Sequence, residues 1–221
     1  MIEKFKSLYR KIKHLLKLYP IYKVVKEINK REPGKRYHML ECFSNTGEHQ
    51  MPAYIKLAES IEAWEILPLH EKALRKNLPP HATIRITNSI EEADKCQKKF
   101  NWIVMDAHME RFGSNKEYCE HFDILPKIFR LCMDETVLIF NVIPECPPQW
   151  NKKYPEIFGP EHLERRNKFY NVPDSRNLSY DFFQTFYKKM ALEQGFQTHW
   201  MFFHQRHLLH YAVMKIKKAN T

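Results

Sequence analysis

YHMLECFSNTGEH, residues 37–49, is the stretch on which the reading of the fold turns. A short apolar run gives way to small and polar residues with one glycine. That is how a buried strand passes into a tight turn and then into the N-terminus of a helix. In an open α/β sheet such a turn sits at the carboxyl end of a strand, where ligands bind. Glu41 stands at the strand end, placed to accept hydrogen bonds from a ligand. Asn45 and Gly47 fall in the turn, where a positive φ is tolerated. An ordinary strand–turn–helix corner with no ligand satisfies this stretch equally well.

Downstream, strand and helix patterns alternate. Further strands are predicted over residues 61–67 (IEAWEIL), 82–87 (ATIRIT), 102–105 (WIVM, ending at Asp106) and 136–143 (TVLIFNVI). Helices are predicted over residues 52–59, 69–77, 90–98 and 116–132, the last interrupted by Pro126. Near-continuous apolar strands in this rhythm imply a parallel sheet covered on both faces. Residues 144–178 break the rhythm with Pro, Asn, Arg and aromatics, and read as an irregular insertion, a candidate substrate lid, with a short helix near residues 160–167. An amphipathic helix over residues 180–194 stops at Gly195. Two strand-like runs follow, 197–204 and 208–216, with so short a link that they must form an antiparallel hairpin. The expected class is α/β: a three-layer α/β/α sandwich around a mostly parallel seven-stranded sheet that ends in an antiparallel hairpin. No internal repeat is present, and residues 36–221 read as one domain.

Upstream lies an arm, residues 1–35, with Phe5, Leu8, Ile12 and Leu15 at helical steps among lysines. Pro20 interrupts it. Ile21, Val24, Val25 and Ile28 mark a second helical piece that Glu32-Pro33-Gly34 ends. The net charge of +10 is concentrated here: residues 1–36 carry +9 and the remaining 185 residues +1. An even basic surface for nucleic acid is therefore not indicated, because such a groove needs its charge along the backbone path. The arm has two readings. It packs its apolar stripe on the domain, which is favoured, or residues 1–31 lie on an anionic membrane surface. No apolar run reaches the length of a membrane span, and no apolar core follows the first charges as in a secretory signal. The five cysteines are widely spaced and never paired as CxxC, so they read as reduced thiols in a cytoplasmic protein.

This layout resembles the class I methyltransferases that use S-adenosylmethionine, over about residues 36–216. In that family the first strand ends in an acid before a glycine-rich turn; here Glu41 precedes Cys42-Phe43-Ser44-Asn45-Thr46-Gly47. The family's second strand ends in an acid that holds the ribose hydroxyls, and Glu65, followed by Ile66, stands at that place. Asn88 and Ser89 follow the third strand, where the family has a polar residue near the adenine. Asp106 and His108 follow the fourth, where the family faces the sulfonium and the substrate. FkbM-type O-methyltransferases are similar in more detail, through Ser44-Asn45-Thr46-Gly47 and Ala63-Trp64-Glu65. Their signature after the fourth strand is not reproduced by DAHMERFG. Phe43 stands where the family has its first glycine, and a benzyl group there crowds the methionine part of the cofactor.

The resemblance implies S-adenosylmethionine as cofactor, held by Glu41, Ser44, Asn45, Gly47, Glu65, Ile66, Asn88, Ser89 and Asp106, and methylation of an oxygen on a small molecule or glycan. Removing the acceptor's proton calls for a base with a pKa near neutrality, and His108, beside Asp106, is the candidate. His49, Arg166 and Tyr170 are candidate substrate contacts. His204, His207 and His210 stand at three-residue steps, but a hairpin puts them on different strands and a turn, so no metal site is expected. Two alternatives remain: a catalytically inactive binding module on the same fold, motivated by Phe43, and a nucleic-acid methyltransferase recruited by the arm. A nicotinamide enzyme is disfavoured by the terminal hairpin and the lack of GxGxxG.

Overall fold

A computed structural model describes residues 12–14, 16–107, 111–112, 118–206 and 208–219. The chain divides into two compact units, Met1–Ser89 and Ile90–Thr221.

In the first unit, helix α1 (Ile21–Arg31) carries Ile21, Val24, Val25 and Ile28 on one face, and all four are buried. This half of the arm turns its apolar stripe inward. Lys30 and Arg31 occupy the last turn, where the helix dipole favours cations. The Glu32 amide closes the helix on the Ile28 carbonyl at 2.8 Å. Residues 1–11 of the expected arm lie outside the described residues.

Strands β1 (Tyr37–Glu41), β2 (Ala58–Glu65) and β3 (Thr83–Ile86) run parallel in the order β3-β2-β1. Leu40 lies opposite Glu62, and Ala63 opposite Ile84. Between β2 and β3 the connection is helical, through α2 (Glu71–Asn77). Between β1 and β2 it is not. The helix expected over residues 52–59 is replaced by two 3₁₀ turns, Met51–Ala53 and Ile55–Leu57. Tyr54 between them has φ −126°, and Ala58 is already paired with Tyr37. Sheet pairing thus takes the residues that a longer helix would need.

Helix α3 (Ser89–Lys95) follows β3. In the second unit come β4 (Phe100–Met105), a small antiparallel ribbon of β5 (Arg111–Phe112) and β6 (Tyr118–Cys119), and α4 (Glu120–Ile128). The predicted helix over residues 116–132 is shorter at both ends. Residues 116–117 lie outside the described residues. At the other end, a 3₁₀ turn (Phe129–Leu131) leads into β7 (Cys132–Val142), whose first residue pairs with Phe100. Pro126 stays inside α4.

The segment 144–178, expected to be irregular, holds three helices: α5 (Pro148–Lys153), α6 (Pro155–Phe158) and α7 (Pro160–Tyr170). Each begins with proline, whose missing N–H costs nothing in a first turn and whose φ is already helical. The prolines that read as breakers are starters. α7 ends on Asn171 at φ +54°, a left-handed cap that asparagine tolerates. Helix α8 (Tyr180–Glu193) starts where the Ser179 hydroxyl accepts the Phe182 amide at 3.1 Å.

Strands β8 (Phe196–His204) and β9 (His210–Lys218) form the expected hairpin, and β9 pairs antiparallel with β7, so the order in this unit is β4-β7-β9-β8. The fold is a seven-stranded mixed sheet, mostly parallel, that closes in an antiparallel hairpin. In the second unit the core is aromatic: Phe140 of β7 meets Tyr187 of α8 edge-on at 4.7 Å, and the Tyr187 and Tyr170 hydroxyls share a 2.9 Å hydrogen bond. Among the described residues no helix is long and apolar enough to cross a membrane.

Candidate functional site

In the first unit the chain leaves β1 at Glu41 and reverses through residues 42–47. The Ser44 amide donates to the Trp64 carbonyl (3.0 Å) and the Gly47 amide to the Ser44 carbonyl (2.9 Å). Asn45 and Gly47 take φ of +48° and +73°, the left-handed conformations that their residue types allow. A Cβ on Gly47 would lie 3.3 Å from Leu74 Cδ2 and 3.5 Å from Met51 Sδ. Gly47→Ala therefore combines backbone strain with crowding. It is expected to destabilise by about 1–3 kcal/mol, seen as a melting temperature lower by roughly 2–10 °C. An unchanged melting temperature would show that the turn relaxes without the glycine.

One carboxylate holds this turn, and a second is buried at the end of the strand before it. Glu65 ends β2 at 6 % exposure. Its Oε2 accepts the Asn45 amide at 2.6 Å, its Oε1 accepts the Leu67 amide at 2.9 Å, and His70 Nδ1 stands 3.3 Å from Oε1. Glu41, 3 % exposed, accepts the Tyr54 hydroxyl on its carboxylate, and its backbone carbonyl accepts the Ser44 hydroxyl of the turn at 3.2 Å. The Asn45 side chain accepts the Thr46 amide (2.7 Å), and the Asn77 side chain donates to the Thr46 carbonyl (2.8 Å). The Ser89 hydroxyl donates to the Cys42 carbonyl. Ser44, Asn45 and Gly47 are thereby held within the turn, Glu65 bonds it from β2, and Ser89 bonds its first residue. Ile66 extends it with an exposed side chain, and half-buried Asn88 adjoins Ser89. The Thr46 Oγ1 is buried with no hydrogen-bond partner among the described residues. Tyr54, Thr46 and Asn77 were missed by the sequence reading. Only the pattern of polar residues near the turn hinted at them.

In the second unit Asp106 follows β4 with its side chain 3 % exposed. Oδ1 accepts from Asn141 Nδ2 (2.7 Å) and from Arg206 (2.6 Å), while Oδ2 accepts the Tyr211 hydroxyl (2.8 Å). Burial works against the Arg206 charge, but the Asp106 carboxylate and Tyr211 together raise the guanidinium pKa. The Arg206 guanidinium also stacks over the Tyr211 ring at 5.1 Å. Asn141 donates a second bond, to the Ala107 carbonyl at 2.6 Å. Asp106 is thus committed to locking the hairpin onto the end of β4. A carboxylate so occupied positions the hairpin, and with three donors it keeps one acceptor position for the expected contact with substrate or cofactor. His108, the expected base, lies outside the described residues.

Arg166 and Tyr170, expected to meet a substrate, are 1 % and 2 % exposed. Arg166 donates to the Ile143 carbonyl (2.9 Å) and the Ser175 carbonyl (2.8 Å), and Tyr170 bonds Tyr187. They fasten the segment 144–178 to its unit. His49 is half-buried in the first unit. Among the described residues no group of three His, Cys, Asp or Glu side chains could hold a metal ion. Cys42, Cys96, Cys132 and Cys146 are buried thiols, and burial pushes Cys132 up to about 12, so it offers no nucleophile near neutrality.

The same unit contains a cavity of about 830 Å³ beyond the end of β7, walled by Glu145, Trp150, Asn177, Tyr180, Gln205 and His210 among others. The Tyr180 hydroxyl and His210 Nδ1 are hydrogen-bonded, and the Tyr180 ring stacks on Phe203 at 4.6 Å. Burial lowers the His210 pKa, against the pull of the Glu145 carboxylate, so the ring is neutral at pH 7.

No family model and no curated protein matches the chain. Solved structures do. A 1,6-didemethyltoxoflavin-N1-methyltransferase from Burkholderia thailandensis, with bound 1,6-didemethyltoxoflavin and S-adenosylhomocysteine, superposes with TM-score 0.55 and 10% identity, over 99% of this chain and 87% of that one. A magnesium protoporphyrin IX methyltransferase from Synechocystis PCC 6803, with S-adenosylhomocysteine, gives 0.54 and 9%, over 90% and 81%. The fold is that of the class I methyltransferases. A proposed RNA methyltransferase from Pyrococcus horikoshii shares it at 0.51 and 13% identity, over 90% and 84%. At such identities the likeness speaks for the fold alone.

Proposed function

We propose that the protein is an S-adenosylmethionine-dependent methyltransferase that methylates an oxygen of a small molecule or glycan, of the FkbM type. The observation that carries this reading is Glu65, which holds the left-handed turn after β1 through the Asn45 amide while ending the neighbouring strand. Each carboxylate oxygen offers two acceptor positions, so after binding Asn45 and Leu67 it still has one for each hydroxyl of a ribose. The exposed apolar side chain of Ile66 beside it suits a base, and the partnerless Thr46 oxygen suits a ligand donor. The residues present therefore fit the cofactor. Glu65 would hold its ribose, Asn88 and Ser89 its adenine side, and residues 43–47 its methionine part.

Bound S-adenosylmethionine supplies a methyl carbon already activated by the sulfonium. What remains for the chain is to orient the acceptor and remove its proton. In the proposal His108 takes that proton. Asp106, bonded to Arg206 and Tyr211, stands two positions before it in the sequence, and His49 contacts the acceptor. Residues 36–221 act as one domain, in the cytoplasm. Exposed Ile12, Leu16 and Leu18 beside Lys13 and Lys17 support a membrane-surface contact by the arm, while the buried face of α1 limits it to residues before Pro20.

Calorimetric titration with S-adenosylhomocysteine tests the reading. One site with an affinity of roughly micromolar, about −8 kcal/mol, is expected. A folded protein that takes up none at millimolar concentration would transfer the assignment to a non-catalytic binding module, which half-buried Phe43 in the glycine-poor turn favours.

A further inference from the structure

The cavity beyond β7 is built rather than incidental. Its wall is tied by backbone pairing: Glu145 bridges Asn177, the Cys146 amide donates to the Arg176 carbonyl at 2.7 Å, and the Leu178 amide to the Pro144 carbonyl at 2.9 Å. Tyr180 is held at both ends, by its stack on Phe203 and by His210. Trp150 packs against Phe158 at 5.2 Å. Two aromatic rings therefore stand as fixed walls.

The charge of the lining is unexpected for this chain. The protein carries +10, yet none of the ten lining residues is Lys or Arg. Glu145 is the one charged member, since His210 is neutral. Among the described residues no cation pairs with Glu145. An exposed carboxylate that lines the same cavity as Trp150 and Tyr180, with no Lys or Arg in the lining, repels phosphate and carboxylate groups. It attracts positive charge twice, by ion pairing and by the negative face of each ring. Asn177, Ser179 and Gln205 add neutral polar residues to the lining.

We propose that this cavity binds a small organic cation, a protonated amine or quaternary ammonium joined to a planar or apolar body, with Glu145 facing the charge and Trp150 and Tyr180 facing the body. The volume suits a compact molecule. The inference goes beyond the methyltransferase reading. Binding needs only the second unit and no cofactor. Only the further statement that this molecule is the methyl acceptor rests on that reading.

The test uses the full chain without cofactor and three probes of one shape: benzyltrimethylammonium, benzyl alcohol and benzoate, each titrated to about 10 mM by calorimetry and followed by tryptophan fluorescence. The ammonium is expected to saturate in the millimolar range or below, with the alcohol roughly fivefold weaker and benzoate not saturating. Glu145→Gln keeps the backbone bridge and should bring the ammonium down to the level of the alcohol. Trp150→Leu should weaken all probes and remove most of the fluorescence response. Benzoate binding as tightly as the ammonium would overturn the proposal. So would an unchanged ammonium affinity in Glu145→Gln, or no saturation by any probe. Ammonium binding by a protein that takes no S-adenosylhomocysteine would sink the methyltransferase reading and leave this one standing.

Discussion

Asp106→Ala is expected to lower the melting temperature by about 10 °C, the largest loss from any single side chain around the hairpin. The carboxylate is buried and receives three donors, from Asn141, Arg206 and Tyr211. Its removal leaves a guanidinium, only 25 % exposed along its side chain, without its counter-charge. Breaking such a pair from one side costs about 3–5 kcal/mol, mostly from the stranded charge. Asp106→Asn should lose less, since its carbonyl still accepts one donor while its amide opposes Arg206. The pair Asp106→Leu with Arg206→Met should recover much of the loss, because both charges leave together. Thermal melts of the four proteins decide the matter. A melting temperature within about 1 °C of the parent for Asp106→Ala would mean that water satisfies Arg206 and that the network is not structural.

Glu65→Ala is the second large effect, and it falls on binding. The carboxylate serves two backbone amides already, and under the proposed function it also takes the ribose hydroxyls. Charged hydrogen bonds of this kind are each worth about 1.5–3 kcal/mol, so affinity for S-adenosylhomocysteine should fall about a hundredfold or more. Stability should fall too, by about 2–4 kcal/mol, because the Asn45 and Leu67 amides lose their acceptor. Glu65→Gln separates the two roles. Its single oxygen can satisfy one amide and one hydroxyl, so it should retain most of the stability and lose about tenfold in affinity. If Glu65→Ala melts early yet binds S-adenosylhomocysteine as the parent does, the carboxylate only holds the turn and the cofactor assignment fails.

The parts of the structure that were legible in the sequence are those whose signal is local. Ile21, Val24, Val25 and Ile28 lie within eight residues, and their spacing alone marks the buried face of α1. The turn after β1 announces itself because asparagine and glycine are the residues that adopt positive φ, and Asn45 and Gly47 do so. The hairpin of β8 and β9 follows from two apolar runs with no room for a crossover. What was not legible depends on distant partners. Asp106 and Arg206 are separated by 100 positions, and nothing near either residue names the other. Strand edges shifted for the same reason: Ala58 and Cys132 are in strands because Tyr37 and Phe100 lie opposite them. The burial of Arg166 was not legible because arginine is usually exposed, whereas here two carbonyls draw it inside. Of the cavity beyond β7 only the wall from residues 144–178 was legible, as a candidate substrate lid, since the other walls come from stretches that only the fold brings together.

The position of β9 bears on how the protein is made. It is the last of the described strands to leave the ribosome, yet it lies in the interior of its unit's sheet, with β7 on one side and β8 on the other. Until residues 210–218 emerge, β7 shows a long open edge rich in Val, Leu, Ile and Phe. Closing it requires pairing across everything between residues 143 and 209, a slow, entropically costly step of the kind that leaves nascent chains exposed to mispairing. Lys215 and Lys217, which meet Glu135 at 3.4 Å each, place opposite charges across that late-forming edge. They favour the native register at the moment when β9 arrives.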